Sequence, residues 1–262
     1  MFLLIKKENN FLIFQSFNFY SLTNSTIYLI PNLLGDADIK SSLPDGVVDV
    51  VRTLKHFIVE DEKSARKFLK LCGVMPPFEG ISFYVLDKHT SSADRSEILK
   101  AITGHESGIL SEAGCPGIAD PGADIIAMAH QRSFTVRPLV GPSSILLALI
   151  ASGFNGQAFS FHGYLPANAI ERIRKIKELE AESAKTGYTQ IFIETPFRND
   201  FLFQDILAQC KPLTLFSVAC DITLPTEEIV SANIKEWQKR KVPELRGRPT
   251  VFSLLVTSGS GY

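Results

Sequence analysis

The segment "GILSEAGCPGIADPG" (108–122) places an apolar run directly before a loop rich in glycine and proline. The run "GIL" (108–110) is typical of a buried strand. The next twelve residues hold three glycines, two prolines and two carboxylates. Glycine lets a main chain approach a ligand closely, and proline makes a loop rigid. The segment therefore predicts a strand that leads into a loop able to grip a ligand with main-chain groups.

Short β-branched or aromatic runs alternate with helical patterns along the rest of the chain. The predicted strands are "IYLI" (27–30), "HFIV" (56–59), "SFYVL" (82–86), "GIL" (108–110), "FTVRPLV" (134–140), "AFSF" (158–161), "TQIFIE" (189–194), "LTLFSVAC" (213–220) and "TVFSLLV" (250–256). Helices are predicted around 65–72, after Pro121, over 143–152 and around 168–185. In the first of these, Ala65, Phe68, Leu69 and Cys72 fall on one face at helical spacing. This alternation predicts an α/β fold with helices covering a mainly parallel or mixed sheet.

Composition limits the class of protein. The 262 residues are 45% hydrophobic and 21% charged, which fits a soluble globular protein of one large or two small domains. The net charge of −1 gives no overall attraction for a polyanion, so a nucleic-acid partner would need a local basic patch. The four cysteines have no CxxC pairing and no metal-ligand spacing, so we expect free thiols in a reducing compartment and no metal.

The ends of the chain and its hydropathy bear on location. The apolar pieces of residues 1–25 are interrupted by "KKENN" and are too short for a signal peptide core. We expect residues 1–25 to be an N-terminal extension outside the domains. No stretch approaches the length of a membrane span. The sequence therefore predicts a cytoplasmic protein with no membrane association.

Three predicted loops combine glycine and proline after strands, where ligands bind in open α/β sheets. They are "IPNLLGD" (30–36), "SEAGCPGIADPG" (111–122) and "LVGPSS" (139–144). No GxxxxGK[ST] or GxGxxG motif accompanies them, which disfavours a nucleoside triphosphate or a dinucleotide. S-adenosylmethionine fits better, because Glu112 or Asp120 could lie near its positive charge. Purely structural turns are the alternative.

Seven segments, in order, resemble the tetrapyrrole methylase family and, within it, the branch called ribosomal RNA small subunit methyltransferase I. They are "IYLIPNLLGD", "FIVEDEKSARKFL", "ILSEAGCPGIADPG", "PLVGPSSILLALIASG", "FHGYLP", "IFIETPFR" and "ACDITLPTEE". The likeness covers about residues 26–256. It implies an N-terminal α/β domain (26–139), a C-terminal α/β domain (140–256) and a tail (257–262). It further implies S-adenosylmethionine in the cleft between the domains and a homodimer.

The resemblance also implies which residues bind the cofactor. They are Pro31, Leu110, Ser111, Glu112, Cys115, Ser143, Ser144, Glu194, Thr195, Ala219, Cys220 and Thr250. Glu112 stands where the branch more often has aspartate, so the charge is kept with a longer side chain. Ser143 also fits an ordinary helix cap after Gly-Pro. Several of the others could contribute main chain rather than side chain.

A ribose hydroxyl acceptor would lose a proton as the new bond forms, so a general base near neutral pKa would help. His89, after a predicted strand, and Glu60 are the candidate catalytic residues, with Asp61 as a further carboxylate. An exposed loop histidine and a helix-capping acidic pair are the structural alternatives.

RNA would also need a positive surface. The segments "RIRKIK" (172–177) and "KEWQKRKVPELRGR" (235–248) are basic, and Trp237 in the second could stack on a base. Solvated helix faces are the alternative interpretation.

The leading hypothesis is an S-adenosylmethionine-dependent methyltransferase that adds a 2′-O-methyl group to a cytidine of small-subunit ribosomal RNA, free or in the 30S particle. One alternative is carbon methylation of a tetrapyrrole or another small molecule. Another is a non-catalytic cofactor-binding or ribosome-associated protein. Departures from the branch pattern at "EDEK" (60–63), His89-Thr90 and "RGR" (246–248) leave the acceptor less determined than the methyl donor. The target nucleotide stays open.

Overall fold

The computed structural model describes residues 25–257, so the predicted extension, apart from Ser25, and residues 258–262 of the predicted tail lie outside the described residues. The first half forms a five-stranded, wholly parallel sheet of order β3-β2-β4-β1-β5. Its strands are β1 (Thr26–Ile30), β2 (His56–Val59), β3 (Ser82–Val85), β4 (Glu106–Leu110) and β5 (Thr135–Pro138). Its helices are α1 (Ile39–Ser42), α2 (Asp45–Thr53), α3 (Glu62–Leu71), α4 (Ser92–Ala101) and α5 (Gly122–Gln131).

Helices cover both faces of this first sheet. On one face, α2 and α3 bury Val51 and Phe68 against Phe57 of β2. On the other, α4 and α5 bury Leu99 and Ile125 against the opposite side of the strands. Because both faces are covered, the central strands β1, β2 and β4 are buried on both sides and do not alternate between apolar and polar residues.

The second half forms a mixed sheet of order β6-β7-β10-β8-β9. Its strands are β6 (Phe159–Tyr164), β7 (Thr189–Ile193), β8 (Leu215–Cys220), β9 (Glu228–Asn233) and β10 (Thr250–Leu255). Its helices are α6 (Ser144–Ser152), α7 (Ala169–Thr186), α8 (Asn199–Gln209) and α9 (Ile234–Trp237). Within this described sheet only the β6–β7 pair is parallel: β10 lies antiparallel between β7 and β8, and β9 pairs antiparallel with β8.

The predicted strands coincide with nine of the ten strands in residues 25–257, and the α/β class is confirmed. The strand absent from the sequence-based prediction is β9, an edge strand with the sequence "EIVSAN". Most of its side chains are partly or fully exposed, so a short half-polar edge gives little hydrophobic signal.

The predicted face of α3 is buried as expected. Ala65, Phe68, Leu69 and Cys72 are each at most 2% exposed. Asp61 starts this helix, its carboxylate accepting a hydrogen bond from the Ser64 main-chain N–H at 2.8 Å. Within residues 25–257, no helix is both long and apolar enough to cross a membrane.

Candidate functional site

The loops after β1 and β4 are joined at the carboxyl edge of the first sheet. The main chains of Asn32 and Gly114 exchange hydrogen bonds of 2.8 and 3.2 Å. The Asn32 side-chain amide also donates to the carbonyl oxygens of Ser111, at 2.9 Å, and Glu112, at 3.1 Å. Sequence reasoning did not single out Asn32. The sequence signal that could have identified it is the asparagine itself, whose side chain can bond main-chain groups, directly after Pro31 in a glycine-rich loop.

The loop that follows β5 meets both of these loops. A Cβ atom added to Gly141 would lie 2.2 Å from Cγ of Pro31, so only glycine fits beside that proline ring. The Cys115 thiol lies 3.5 Å from the Pro142 carbonyl oxygen, which it can reach as a weak donor. The three loops predicted from sequence therefore form one assembly, in which Pro31 and Cys115 contact the loop that follows β5.

Glu112 is linked to β2 and to α3. Its Oε1 accepts a hydrogen bond from the Ser64 hydroxyl at 2.5 Å, and its main-chain N–H donates to Oε1 of Glu60 at 3.2 Å. Burial raises the pKa of Glu60, and the negative charges of Asp120 and Glu112 add to this effect. The main-chain bond from Glu112 opposes the rise in pKa.

Asp120 organises the far end of the same loop. Its carboxylate accepts main-chain N–H bonds from Gly117, at 2.8 Å, and Gly122, at 2.7 Å. Burial nevertheless raises its pKa. Glu60 and Asp120 both line a small crevice at the ends of β2 and β4, together with Leu110 and Ser111. Two carboxylates in the crevice, with Glu112 close to Glu60, favour a cationic group over an anionic one.

Several of the candidate side chains already make hydrogen bonds or packing contacts within the protein. The Ser111 hydroxyl donates to the Gly114 carbonyl at 2.9 Å, and Leu110 is buried in the core. Ser143 is the N-cap of α6, accepting from the Leu146 N–H at a long 3.5 Å, and Ser144 is the first helical residue. These residues have mainly main-chain groups to offer a ligand.

The second-half candidates gather at one edge of the mixed sheet. On β10, Thr250 lies opposite Cys220 of β8, and Val251 lies opposite both Ala219 of β8 and Ile193 of β7. Glu194, the residue after β7, is therefore at the same edge. This edge adjoins the loop after β1, because Leu34 packs against a cluster that contains Ala219 and Val251.

The Glu194 side chain is fully buried there. Its Oε1 accepts bonds from the Arg198 guanidinium and from the Thr195 N–H, each at 2.6 Å at its shortest. Its Oε2 has no hydrogen-bond partner among the described residues. A buried carboxylate oxygen without a partner is costly, so this atom is a candidate ligand contact.

His89 and Glu60 differ in setting. The exposed loop that carries His89 is shaped by Asp87, whose carboxylate accepts the His89 main-chain N–H at 2.8 Å. Among the described residues, the His89 imidazole makes no hydrogen bond, whereas Glu60 lines the crevice. The structure brings Glu60, Glu112 and Asp120 together and leaves His89 on a separate loop.

The proposed stacking role of Trp237 is wrong. Trp237 is 3% exposed and its Nε1–H donates to the Phe216 carbonyl at 2.8 Å, so the indole belongs to the core. Arg172 in the first basic segment is also buried, and it is paired with Asp205 at 2.7 Å. In the second segment, Arg248 is paired with Asp221 at 2.8 Å. These three side chains stabilise the fold rather than form a free RNA surface.

Three named relatives are similar to this chain over most of its length. "Ribosomal RNA small subunit methyltransferase I" of Bacillus subtilis is 31% identical over 212 residues, covering 80% of this chain and 68% of that protein. The Vibrio cholerae protein of the same name is 30% identical, covering 69% of this chain and 59% of its own length. The Xylella fastidiosa protein is 25% identical and covers 89% and 82%, respectively.

Solved structures establish the fold. The methyltransferase CobJ superposes with a TM-score of 0.58 at 17% identity, covering 88% of this chain and 94% of that one. Uroporphyrin-III C-methyltransferase from Thermus thermophilus, in complex with S-adenosylhomocysteine, gives 0.51 at 15% identity, covering 88% and 97%. No protein-family model matches the chain. Its similarity to the Bacillus subtilis protein shows that the chain belongs to the ribosomal RNA small subunit methyltransferase I family, with the two-sheet α/β fold of the tetrapyrrole methylases.

Proposed function

We propose that this protein is an S-adenosylmethionine-dependent methyltransferase that methylates the 2′-hydroxyl of a cytidine in small-subunit ribosomal RNA. The observation that carries the proposal is the three-loop assembly joined by Asn32, Gly114 and Gly141 at the carboxyl edge of a parallel sheet. Relatives that carry the ribosomal RNA name share 25–31% identity with this chain. The tetrapyrrole alternative is supported by fold alone, at 15–17% identity.

The residues at this edge fit the proposed cofactor. Carboxylates at Glu60, Glu112 and Asp120 complement a sulfonium cation, and the unpaired Oε2 of Glu194 can accept a hydrogen bond from an adenosine donor. We propose that the twelve residues below hold the cofactor, mostly through main chain. They are Pro31, Leu110, Ser111, Glu112, Cys115, Ser143, Ser144, Glu194, Thr195, Ala219, Cys220 and Thr250. When bound, S-adenosylmethionine supplies a methyl group on a positively charged sulfur.

The protein's own contribution is alignment and proton removal. Holding two reactants in line can supply roughly 7–11 kcal/mol of a barrier. A partly buried carboxylate with a raised pKa, such as Glu60, accepts a proton more readily than an exposed one. His89 is the second candidate base, because its imidazole is free to approach a bound substrate from an exposed loop. Glu60→Gln and His89→Gln distinguish the two by which one lowers kcat.

We propose a homodimer in the cytoplasm, where this substrate occurs. Leu146 and Ile150, one helical turn apart on α6, are 49% and 76% exposed, and Val140 just before this helix is 74% exposed. Exposed apolar side chains in one region are typical of a subunit contact. Light scattering should give twice the 29.0 kDa mass of one chain, and a mass of one chain would contradict the dimer.

The test of the function is transfer of tritium from methyl-labelled S-adenosylmethionine to small-subunit particles that lack the modification. Label that survives alkali in a 2′-O-methylated dinucleotide supports the proposal, since the methyl group blocks cleavage at that ribose. A Glu112→Ala variant controls for contaminating activity. Cofactor binding with no label in RNA would contradict the proposal. Transfer to a tetrapyrrole would then support carbon methylation, and its absence would support a non-catalytic binding protein.

A further inference from the structure

One face of α3 carries four basic residues. Lys63, Arg66, Lys67 and Lys70 follow each other at steps of three, one and three residues, which places them on one side of a helix. The opposite side is buried in the core. The four side chains, here called the basic face of α3, are all at least partly exposed.

The basic face forms one wall of an open groove with a volume of about 920 Å³. The other wall is the segment Pro76, Pro77 and Phe78. Arg66 is fixed within the groove, because its guanidinium lies over the Phe78 ring at 5.2 Å and over the Phe83 ring at 4.9 Å. The groove is therefore a shaped surface rather than a set of freely moving side chains.

Positive charge exceeds negative charge in this groove. The acidic side chains that line it are Asp61, which caps α3, and Glu62, which is paired with Arg66. Lys63 and Lys70 make no ion pair with any residue in the range 25–257. Two exposed lysines thus have their charges available for an external anion.

The groove adjoins the three-loop assembly. Ser64, within the same helical turn as the basic face, donates to the Glu112 carboxylate at 2.5 Å. Lys67 is paired at 2.6 Å with Asp36, in the loop after β1. Two of the assembled loops are therefore attached to the helix that carries the positive charge.

We propose that the basic face of α3 binds the phosphate backbone of the RNA next to the methylated nucleotide. This inference rests on the proposed function for the identity of the polyanion. From Lys63 to Lys70 the helix rises about 10 Å, which is comparable to the span of several consecutive phosphates of one strand. Ser64 and Lys67 attach the groove to two of the assembled loops, whereas in the sequence-predicted segments Arg172 and Trp237 are buried and Arg248 is paired with Asp221.

The test compares two double variants that each remove two exposed charges. Lys63→Gln/Lys70→Gln changes the basic face and leaves Arg66 and Lys67 intact. Lys239→Gln/Lys241→Gln changes the basic segment at 235–248 by the same amount. Filter binding with in vitro transcribed small-subunit ribosomal RNA is measured between 0.05 and 0.2 M salt (~0.1 M as reference), and calorimetry measures S-adenosylmethionine binding.

We expect the α3 variant to bind RNA about tenfold more weakly, with a salt slope smaller by about 1.5, because two phosphate contacts are lost. Its cofactor affinity should stay unchanged, and Lys63→Arg/Lys70→Arg should restore RNA binding. The 239/241 variant should bind like the wild type. Wild-type affinity and salt slope in the α3 variant would overturn the inference.

Together with the tritium-transfer assay, this binding experiment separates the inference from the proposed function. Wild-type protein that binds RNA through α3 but transfers no label would contradict the function and leave the groove assignment standing. An α3 variant that binds RNA and transfers label as well as the wild type would contradict the groove assignment alone. Wild-type protein that binds neither the transcript nor the small-subunit particles would overturn both.

Discussion

Asn32 and Gly114, which lie more than eighty positions apart in the chain, form an isolated antiparallel bridge between two loops of a parallel sheet. The Asn32 side chain extends this link to the carbonyl oxygens of Ser111 and Glu112. The loop that carries Glu112 is thus positioned by a residue from the loop after β1.

Asn32→Ala should weaken S-adenosylmethionine binding about tenfold and lower the free energy of unfolding by about 1–2 kcal/mol. The cause is loss of both amide bonds to the 111–115 loop, together with the bond that the Leu33 N–H donates to its oxygen. Calorimetry and urea unfolding measure the two effects. Asn168→Ala, which removes the cap of α7, is the control and should cost about 1 kcal/mol without changing cofactor affinity. Equal cofactor affinity in both variants would contradict the prediction.

Gly141→Ala should lower the free energy of unfolding by about 1–3 kcal/mol, because the new Cβ would overlap the Pro31 ring and push two loops apart. Thermal unfolding measures the loss, and cofactor affinity should fall with it. Gly156→Ala is the matched control, since no atom lies within 4 Å of its Cβ position. A destabilisation by Gly141→Ala no larger than that of the control would show that the loops can separate freely.

Glu60→Gln should change how stability depends on pH. The folded protein raises the Glu60 pKa through burial, so it holds a proton that the unfolded chain has already released. Wild-type stability from this group therefore falls as pH rises from the ordinary value of the carboxyl through the raised one. The variant should gain relative to wild type over that interval, measured as the urea midpoint at a series of pH values.

Asp87→Asn gives the opposite sign as a control. Hydrogen bonds from the His89 main chain and the Thr90 side chain lower the pKa of Asp87 in the folded protein. Its contribution to stability is present at higher pH and is lost as pH falls through the lowered pKa. If both variants shift the pH profile in the same direction, Glu60 is not the source of the effect.

Trp237→Phe should lower the free energy of unfolding by about 1–3 kcal/mol, because the Phe216 carbonyl loses its buried donor. Its affinity for small-subunit ribosomal RNA should equal that of the wild type. Phe201→Leu, at a site 64% exposed, serves as the control and should change stability by no more than about 0.5 kcal/mol. Loss of RNA affinity without loss of stability would restore the stacking role of Trp237.

Local patterns were sufficient for much of the fold. The predicted strand "HFIV" (56–59) begins and ends at the same residues as β2. The helical spacing of Ala65, Phe68 and Leu69 identified the buried face of α3. These features are local because hydrophobic periodicity reports which face of an element is buried. The glycine and proline residues likewise marked the three loops.

The sequence by itself determined the α/β class, the family resemblance and the loops at which a cofactor would bind. Only the tertiary structure decided which charged and aromatic side chains face outward: Trp237 and Arg172 point into the core, while Lys63 and Lys70 remain exposed on α3. It also decided that β10 lies between β7 and β8, and that Asn32 bridges two loops. These relationships join residues distant in sequence, and their energies arise only once the chain has packed, so no local pattern encodes them.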